Sequence, residues 1–173
     1  FLALDGLGEK QACELVENVA KSPNATAVGA VKIHDLWDMV GPSIIGSLKN
    51  AGTKNVWIDL KLHDTPQTVS YRAIAARVNG AYIVTAHAAG GIEMMRQAVQ
   101  HGPNILAITV LTSLSEEETH LDCGHPAKAM VLQRARNAKL AGVWGIVCSP
   151  NEVGVLAQQP ELEGLEFVTP GIR

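Results

Sequence analysis

Apolar runs and helical patterns alternate along the chain almost without interruption. Residues 1–5 read as a strand closing on Asp5. Residues 9–21 place Ala12, Leu15, Val16 and Val19 on one face at helical spacing. A second strand is expected over 27–32, ending at Lys32. A helix over 42–50 turns Ile44, Ile45 and Leu48 inward and stops at Gly52. Val56–Leu62 is the third strand, and a helix follows from Pro66, a favourable first-turn residue, to Val78, with Gly80 closing it. A fourth strand covers 82–87, and Gly90-Gly91 opens a helix through Val99. The fifth strand is expected over 104–112. Ser115 stands three residues before Glu118, the spacing of a capping box, and predicts a helix start there. A long helix over 127–140, a strand over 143–148, a helix over 151–158 and a strand over 166–169 complete the pattern, before Pro170-Gly-Ile-Arg173.

Repeated βα units with buried apolar strands predict a parallel sheet covered by helices. Seven strands fit either an open doubly wound sheet or most of an eight-stranded barrel. No G-x-G-x-x-G follows the first strand, which weakens a dinucleotide fold. The polar residues instead stand at the C-terminal ends of many strands: Asp5, Lys32, Asp59, Lys61, His87, Thr112, Ser149 and Arg173. A barrel gathers all those ends around one mouth. The expected fold is therefore an α/β (β/α)8 barrel in a single domain over 1–173. About seven units are readable and no eighth strand among them, so the sequence reads as a C-terminally truncated barrel. Two unpaired sheet edges would be an aggregation liability.

Composition narrows the picture further. The 173 residues are 47% hydrophobic and 18% charged, as expected of one globular domain with a real core. A formal net charge of -3 gives no broad electrostatic case for nucleic acid or an anionic membrane. No apolar run reaches the length of a membrane span. The apolar start at Phe1 meets Asp5 without the basic flank of a signal peptide. Cys13, Cys123 and Cys148 are far apart and odd in number, so neither a disulfide framework nor a metal spacing follows, and a reducing cytoplasm is the simpler location. Cys13 and Cys148 fall in apolar patterns and read as core or near-core residues.

The chemistry concentrates in residues 56–68. In a strand, Asp59 and Lys61 share one face while Ile58, Leu60 and Leu62 share the other. A buried ion pair roughly breaks even in stability, so two opposite charges on an inner face hint at function. Asp64 follows where the strand should end. Structural ion pairs imitate active sites, however, and spacing alone leaves a satisfied salt bridge as an equal reading.

Asp59-Leu-Lys61-Leu-His-Asp64-Thr-Pro-Gln-Thr68 closely resembles the D-L-K-x-H-D-I-P-N-T signature of the orotidine 5'-phosphate decarboxylase family. It departs at Thr65 and Gln67, and neither change removes a charge. The D-x-K-x-x-D core is shared with sugar-phosphate aldolases and decarboxylases of the wider suprafamily. The extension through Pro66 and Thr68 is more specific. His87-Ala-Ala-Gly-Gly-Ile-Glu-Met-Met95 resembles the family's H-A-x-G-G-x-x-M-M. Thr109-Val-Leu-Thr-Ser113 matches its T-V-L-T-S, and Val168-Thr-Pro-Gly-Ile-Arg173 resembles its seventh strand and exit. Val147-Cys-Ser-Pro150 is similar to a further strand end. In the family, glycine stands where His34 follows Lys32, and the segment from Asp5 to Lys32 is a few residues shorter.

The resemblance implies a cofactor-free, metal-free decarboxylase that converts orotidine 5'-phosphate to uridine 5'-phosphate. Lys32, Asp59, Lys61 and Asp64 would form the catalytic array, in which opposite charges favour one another's ionised forms and titrate together. Decarboxylation leaves negative charge on a ring carbon, which a fixed ammonium beside it stabilises; Lys61 is the implied proton donor. Asp59 would crowd the departing carboxylate. Asp64 and Thr68 would reach across a homodimer interface. Asp5 and Lys32 would bind the ribose, Thr112 the pyrimidine side, and Arg173 the phosphate. A glutamine in the next loop and a final Gly-Arg, both beyond this sequence, would help Arg173.

Taken without the resemblance, each residue also has a plainer role. Asp5 caps a helix, Lys32 reaches solvent, His87 is a packed hydrogen-bonded residue, and Thr112 is a strand or cap residue. Two other functions remain open. One is a Mg²⁺-dependent keto-sugar-phosphate enzyme of the same suprafamily. The other is a non-catalytic truncated barrel acting as an interaction module.

Overall fold

A computed structural model describes residues 1–171 of the chain. Seven strands form one all-parallel sheet: β1 (Leu2–Ala3), β2 (Val31–Ile33), β3 (Val56–Leu62), β4 (Ile83–His87), β5 (Asn104–Ile108), β6 (Gly145–Val147) and β7 (Glu166–Val168). Their order across the sheet is their order along the chain. Parallel crossovers are of one hand, so a sequential order puts every connecting helix on the same side. The sheet curls away from them as an open (β/α) barrel. Among the described residues, β1 and β7 are its edges.

The helices are α1 (Glu9–Ala20), α2 (Asp35–Val40), α3 (Ser43–Asn50), α4 (Pro66–Val78), α5 (Gly91–His101), α6 (Glu116–Cys123), α7 (Ala127–Ala141) and α8 (Pro150–Leu156). Their starts follow local chemistry. Thr65 caps α4, its hydroxyl oxygen accepting from the Thr68 N–H, and Pro66 stands at the first turn where no N–H is needed. The Ser115/Glu118 capping box opens α6 as its spacing predicts. Ser149, one of the polar strand-end residues, serves as the cap of α8: its N–H donates to Glu152 at 2.7 Å and its Oγ accepts from Asn151.

The outer face of the sheet and the helices share the main core. Ile33, Ile58, Val84, Ala107 and Ile146 pack with Leu36, Ile44, Leu48, Val69, Met94, Met95 and Ala138. Full burial of each large aliphatic side chain contributes about 1.5–3 kcal/mol. A second cluster holds Trp57, Ile83 and Leu106, with Val147 and Val168 against it. Alternation along the strands therefore leaves Trp57, Asp59 and Thr85 on the other, inner face.

The strands are shorter than the apolar runs that predict them. The run 1–5 yields only Leu2–Ala3, 27–32 yields Val31–Ile33 after a 3-10 turn at Ala25–Ala27, and 104–112 stops at Ile108. Single ladder bonds continue beyond those ends, from Leu4 N to Lys32 O (2.9 Å) and from Thr109 N to Val147 O (3.3 Å), so the chain diverges gradually. Helix α2 follows from no periodic pattern in the sequence.

Candidate active site

The C-terminal ends of β1, β2 and β3 bring four charged side chains together. Lys32 on β2 pairs with Asp5 just beyond β1 and, at 3.4 Å, with Asp59 Oδ2 on β3. Lys61 Nζ lies 2.6 Å from the same Asp59 oxygen. The chain of charges thus runs Asp5, Lys32, Asp59, Lys61, with one carboxylate oxygen bridging two ammonium groups. Asp5 is not the cap of α1, a place taken by Gly8.

The loop carrying Asp5 is fixed from below by a residue that sequence reasoning did not single out. Asp35, at the start of α2, accepts the Gly6 N–H on Oδ2 at 3.0 Å. Gly6 turns the chain at φ 76°, a conformation that a side chain resists.

Strand β3 is irregular where its charges lie. Ile58 pairs with Val84 and Leu62 with Ala86, so four steps on β3 face two on β4. Lys61 has φ 48°, the only positive φ outside glycine among the described residues. Such backbone costs about 1–3 kcal/mol and persists where the surroundings hold it. Thr85 on β4, fully buried, accepts the Lys61 N–H and donates to Asp59 Oδ1, each at 2.8 Å. From the β2 side, His34 Nδ1 approaches the Asp59 carbonyl oxygen at 2.6 Å. His34 thus braces the strand that carries the array.

Burial pushes the Asp59 carboxyl upward, but hydrogen bonds from Lys61 and Thr85 and the charges of Lys61 and Lys32 outweigh it. The net result lies below the ordinary carboxylate range. His87, at the end of β4, is held below its ordinary value by burial first and then by the positive charges of its neighbours, Lys61 and Arg134 among them. Its ring is tilted against His63 at 5.4 Å between centroids.

The other expected site residues lie apart from this cluster. Asp64 is exposed, and its Oδ1 accepts the Thr65 N–H at 2.6 Å. Among the described residues no ion pair joins it to Lys32 or Lys61. Thr68 is exposed in the first turn of α4, its hydroxyl 3.0 Å from that of Thr65. Thr112 is exposed in a turn four residues past β5. Arg173 lies outside the described residues. Among them, no three His, Cys, Asp or Glu side chains gather at metal-binding spacing, and no helix is long and apolar enough to cross a membrane.

Thr85 was legible in principle. Its strand alternates, so Thr85 and His87 share the face of Asp59. A buried hydroxyl on that face needs a polar partner.

Comparison with known proteins gives the family of the chain. The model of the Orotidine 5'-phosphate decarboxylase / HUMPS family matches residues 1–173. A protein of Anaeromyxobacter dehalogenans named orotidine 5'-phosphate decarboxylase is 42% identical over 158 residues, covering 86% of this chain and 67% of the relative. One of the same name from Syntrophomonas wolfei is 38% identical over 190 aligned residues, covering all of this chain and 76% of the relative. The crystal structure of orotidine 5'-phosphate decarboxylase from Lactobacillus acidophilus superimposes with a TM-score of 0.81 at 33% identity, over 99% of this chain and 80% of that one. A family model matched over the full chain, relatives well above 30% identity and a shared fold lead to one conclusion: the chain belongs to the Orotidine 5'-phosphate decarboxylase / HUMPS family.

Proposed function

We propose that this chain, as one barrel domain over 1–173, decarboxylates orotidine 5'-phosphate to uridine 5'-phosphate in pyrimidine biosynthesis. What carries the proposal is the placement of Lys61 and Lys32 on one oxygen of Asp59 at the inner mouth of a barrel of this family. The bond between the ring carbon and its carboxylate breaks, carbon dioxide leaves, and the electron pair stays on the ring carbon. The Lys61 ammonium faces that carbon, stabilises the developing charge without having to reorganise, and then transfers a proton to it. Solvent restores the Lys61 proton. Asp59 lies against the departing carboxylate, which favours its loss, and holds Lys61 in place at 2.6 Å.

Asp5 and Lys32 bind the ribose hydroxyls in this scheme, and Thr112 contacts the pyrimidine. Arg173 takes the phosphate, whose grip, remote from the reacting carbon, lowers the barrier by closing the site. Asp64 and Thr68, both exposed at the start of α4, are offered to a second copy of the chain in a cytoplasmic homodimer. No metal or organic cofactor enters the scheme.

The test is turnover of orotidine 5'-phosphate, followed by its ultraviolet absorbance with excess chelator present, alongside Lys61→Ala. Chelator-resistant turnover in the parent and loss of at least a thousandfold in the variant are expected, on the order of the effect of removing a group that acts only in the transition state. A folded dimer without turnover refutes the proposal. Activity on keto-sugar phosphates that needs Mg²⁺ would assign the chain to the other branch of its suprafamily.

A further inference from the structure

The proposed chemistry leaves the irregularity of β3 unexplained. Its two extra residues have no ladder partner on β4, and Lys61 stands in the left-handed region within them. The Lys61 N–H is not wasted, because it donates to Thr85 Oγ1 at 2.8 Å. The direction of both Thr85 bonds is fixed. An amide has only a proton to give and a carboxylate only lone pairs, so the hydroxyl accepts from Lys61 N and donates its single proton to Asp59 Oδ1 at 2.8 Å. Thr85 is fully buried, and its β-branched side chain has little rotameric freedom in a strand. One rigid hydroxyl therefore joins the backbone of one charged residue to the side chain of the other.

We propose that Thr85 is a positioning residue for the reacting centre: its hydroxyl ties the left-handed Lys61 backbone to Asp59 Oδ1, which turns Asp59 Oδ2 toward both lysines. Its effect on turnover rests on the decarboxylase function proposed above; its effect on Asp59 does not. The charged and titratable groups facing Asp59 are Lys61 on β3, Lys32 on β2 with Asp5 behind it, His34 at the Asp59 carbonyl, and His87 on β4. Thr85 adds to them a neutral donor that also favours the carboxylate form. Removing the hydroxyl leaves a buried carboxylate oxygen and a part-buried amide unpartnered together.

The experiment compares the parent with Thr85→Val, which keeps the shape and removes both bonds, and with Thr85→Ser, which restores the hydroxyl. Two readouts are taken: the titration midpoint of the Asp59 carboxyl, by carbon NMR assigned with Asp59→Asn, and kcat and KM across pH. In Thr85→Val the Asp59 midpoint moves up and kcat falls about ten- to a hundredfold, the loss of one hydrogen bond to a charged group. KM moves less than kcat, and Thr85→Ser returns both readouts toward the parent. An unmoved midpoint in Thr85→Val, or a Ser variant as impaired as the Val variant, overturns the proposal. Should Thr85→Val fail to fold, Thr85→Cys carries the same test, since a thiol is a weak donor and acceptor. If the parent itself does not turn over orotidine 5'-phosphate, the proposed function falls while the Asp59 midpoint still decides the role of Thr85.

Discussion

Asp59→Asn is the substitution for which the geometry makes the most demanding prediction, and it concerns stability. Asp59 Oδ2 lies 2.6 Å from Lys61 Nζ and 3.4 Å from Lys32 Nζ. At an effective dielectric of about 20, each unit-charge pair near 3 Å attracts by roughly 5–6 kcal/mol. Desolvation offsets most of that, because the Asp59 side chain is only 11% exposed. Lys61, 36% exposed, is also screened by solvent. Asparagine keeps an acceptor for Thr85 but leaves two ammonium groups facing each other, with only Asp5 to balance Lys32. The expected loss is about 2–4 kcal/mol at neutral pH, below the full cost of breaking a buried pair because of that exposure. For a domain of this size the melting temperature should drop by roughly 4–16 °C.

The sign of the pH dependence follows from Asp59. Its folded value lies below the ordinary one, so its contribution is complete above about pH 5 and is lost as pH falls below about 4 through the folded value. The stability gap between parent and variant should therefore hold from pH 7 to pH 5 and narrow at lower pH. Urea unfolding at several pH values, followed by fluorescence of Trp37, Trp57 and Trp144, measures it. A variant as stable as the parent at pH 7, or a gap unchanged below pH 4, would refute the account of Asp59 as the anion that holds two cations.

Two further predictions concern the frame. Gly145→Ala places a Cβ 2.6 Å from the Glu166 carbonyl oxygen and 3.0 Å from Leu106 Cδ2, so β6 and β7 must separate; the urea midpoint should correspond to a loss of about 1–3 kcal/mol, and an unchanged midpoint would count against the packing described. Cys148 is fully buried, and burial, followed by the charge of Glu152, pushes its thiol up to about 12. At pH 8 in native buffer it should resist a maleimide and become labelled only in denaturant, with mass spectrometry locating the modification.

Legibility in the sequence varied with the physics of each element. Strand β3 and helix α4 match their predicted bounds, because a continuous apolar run meets Thr65-Pro66, a cap and a first-turn proline that admit one boundary. Helix α2 escaped notice since its six residues carry two acids and are too short to display a period. Hydrophobicity reports burial, so β1 and β5 are shorter than their apolar runs where Leu4 and Val110 stay buried past the ladder, while the excess at 27–30 is the approach to β2 after a 3-10 turn. The association of Asp5, Lys32, Asp59 and Lys61 was readable from their places at strand ends. The left-handed turn at Lys61 was not, since nothing in Asp59-Leu-Lys61-Leu marks a conformation held by Thr85 on β4 and by His34 just past β2. Asp64 and Thr112 stand out by their places at expected strand ends and Thr68 by family likeness; within one chain all three stand at the surface.

The identity between strand order and chain order has a consequence for how the protein is made. Each strand binds an edge presented by the strand synthesised just before it, after a single intervening βα connection. Among the described residues no strand pairs out of chain order, so loop closure is modest at each of these six pairings and this sheet can grow by accretion on the ribosome. The first three strands complete the cluster of charges long before β7 emerges. Nascent chains released after β4 should already carry the pairing of Asp59 with Lys61, and the later units then extend the wall beside it.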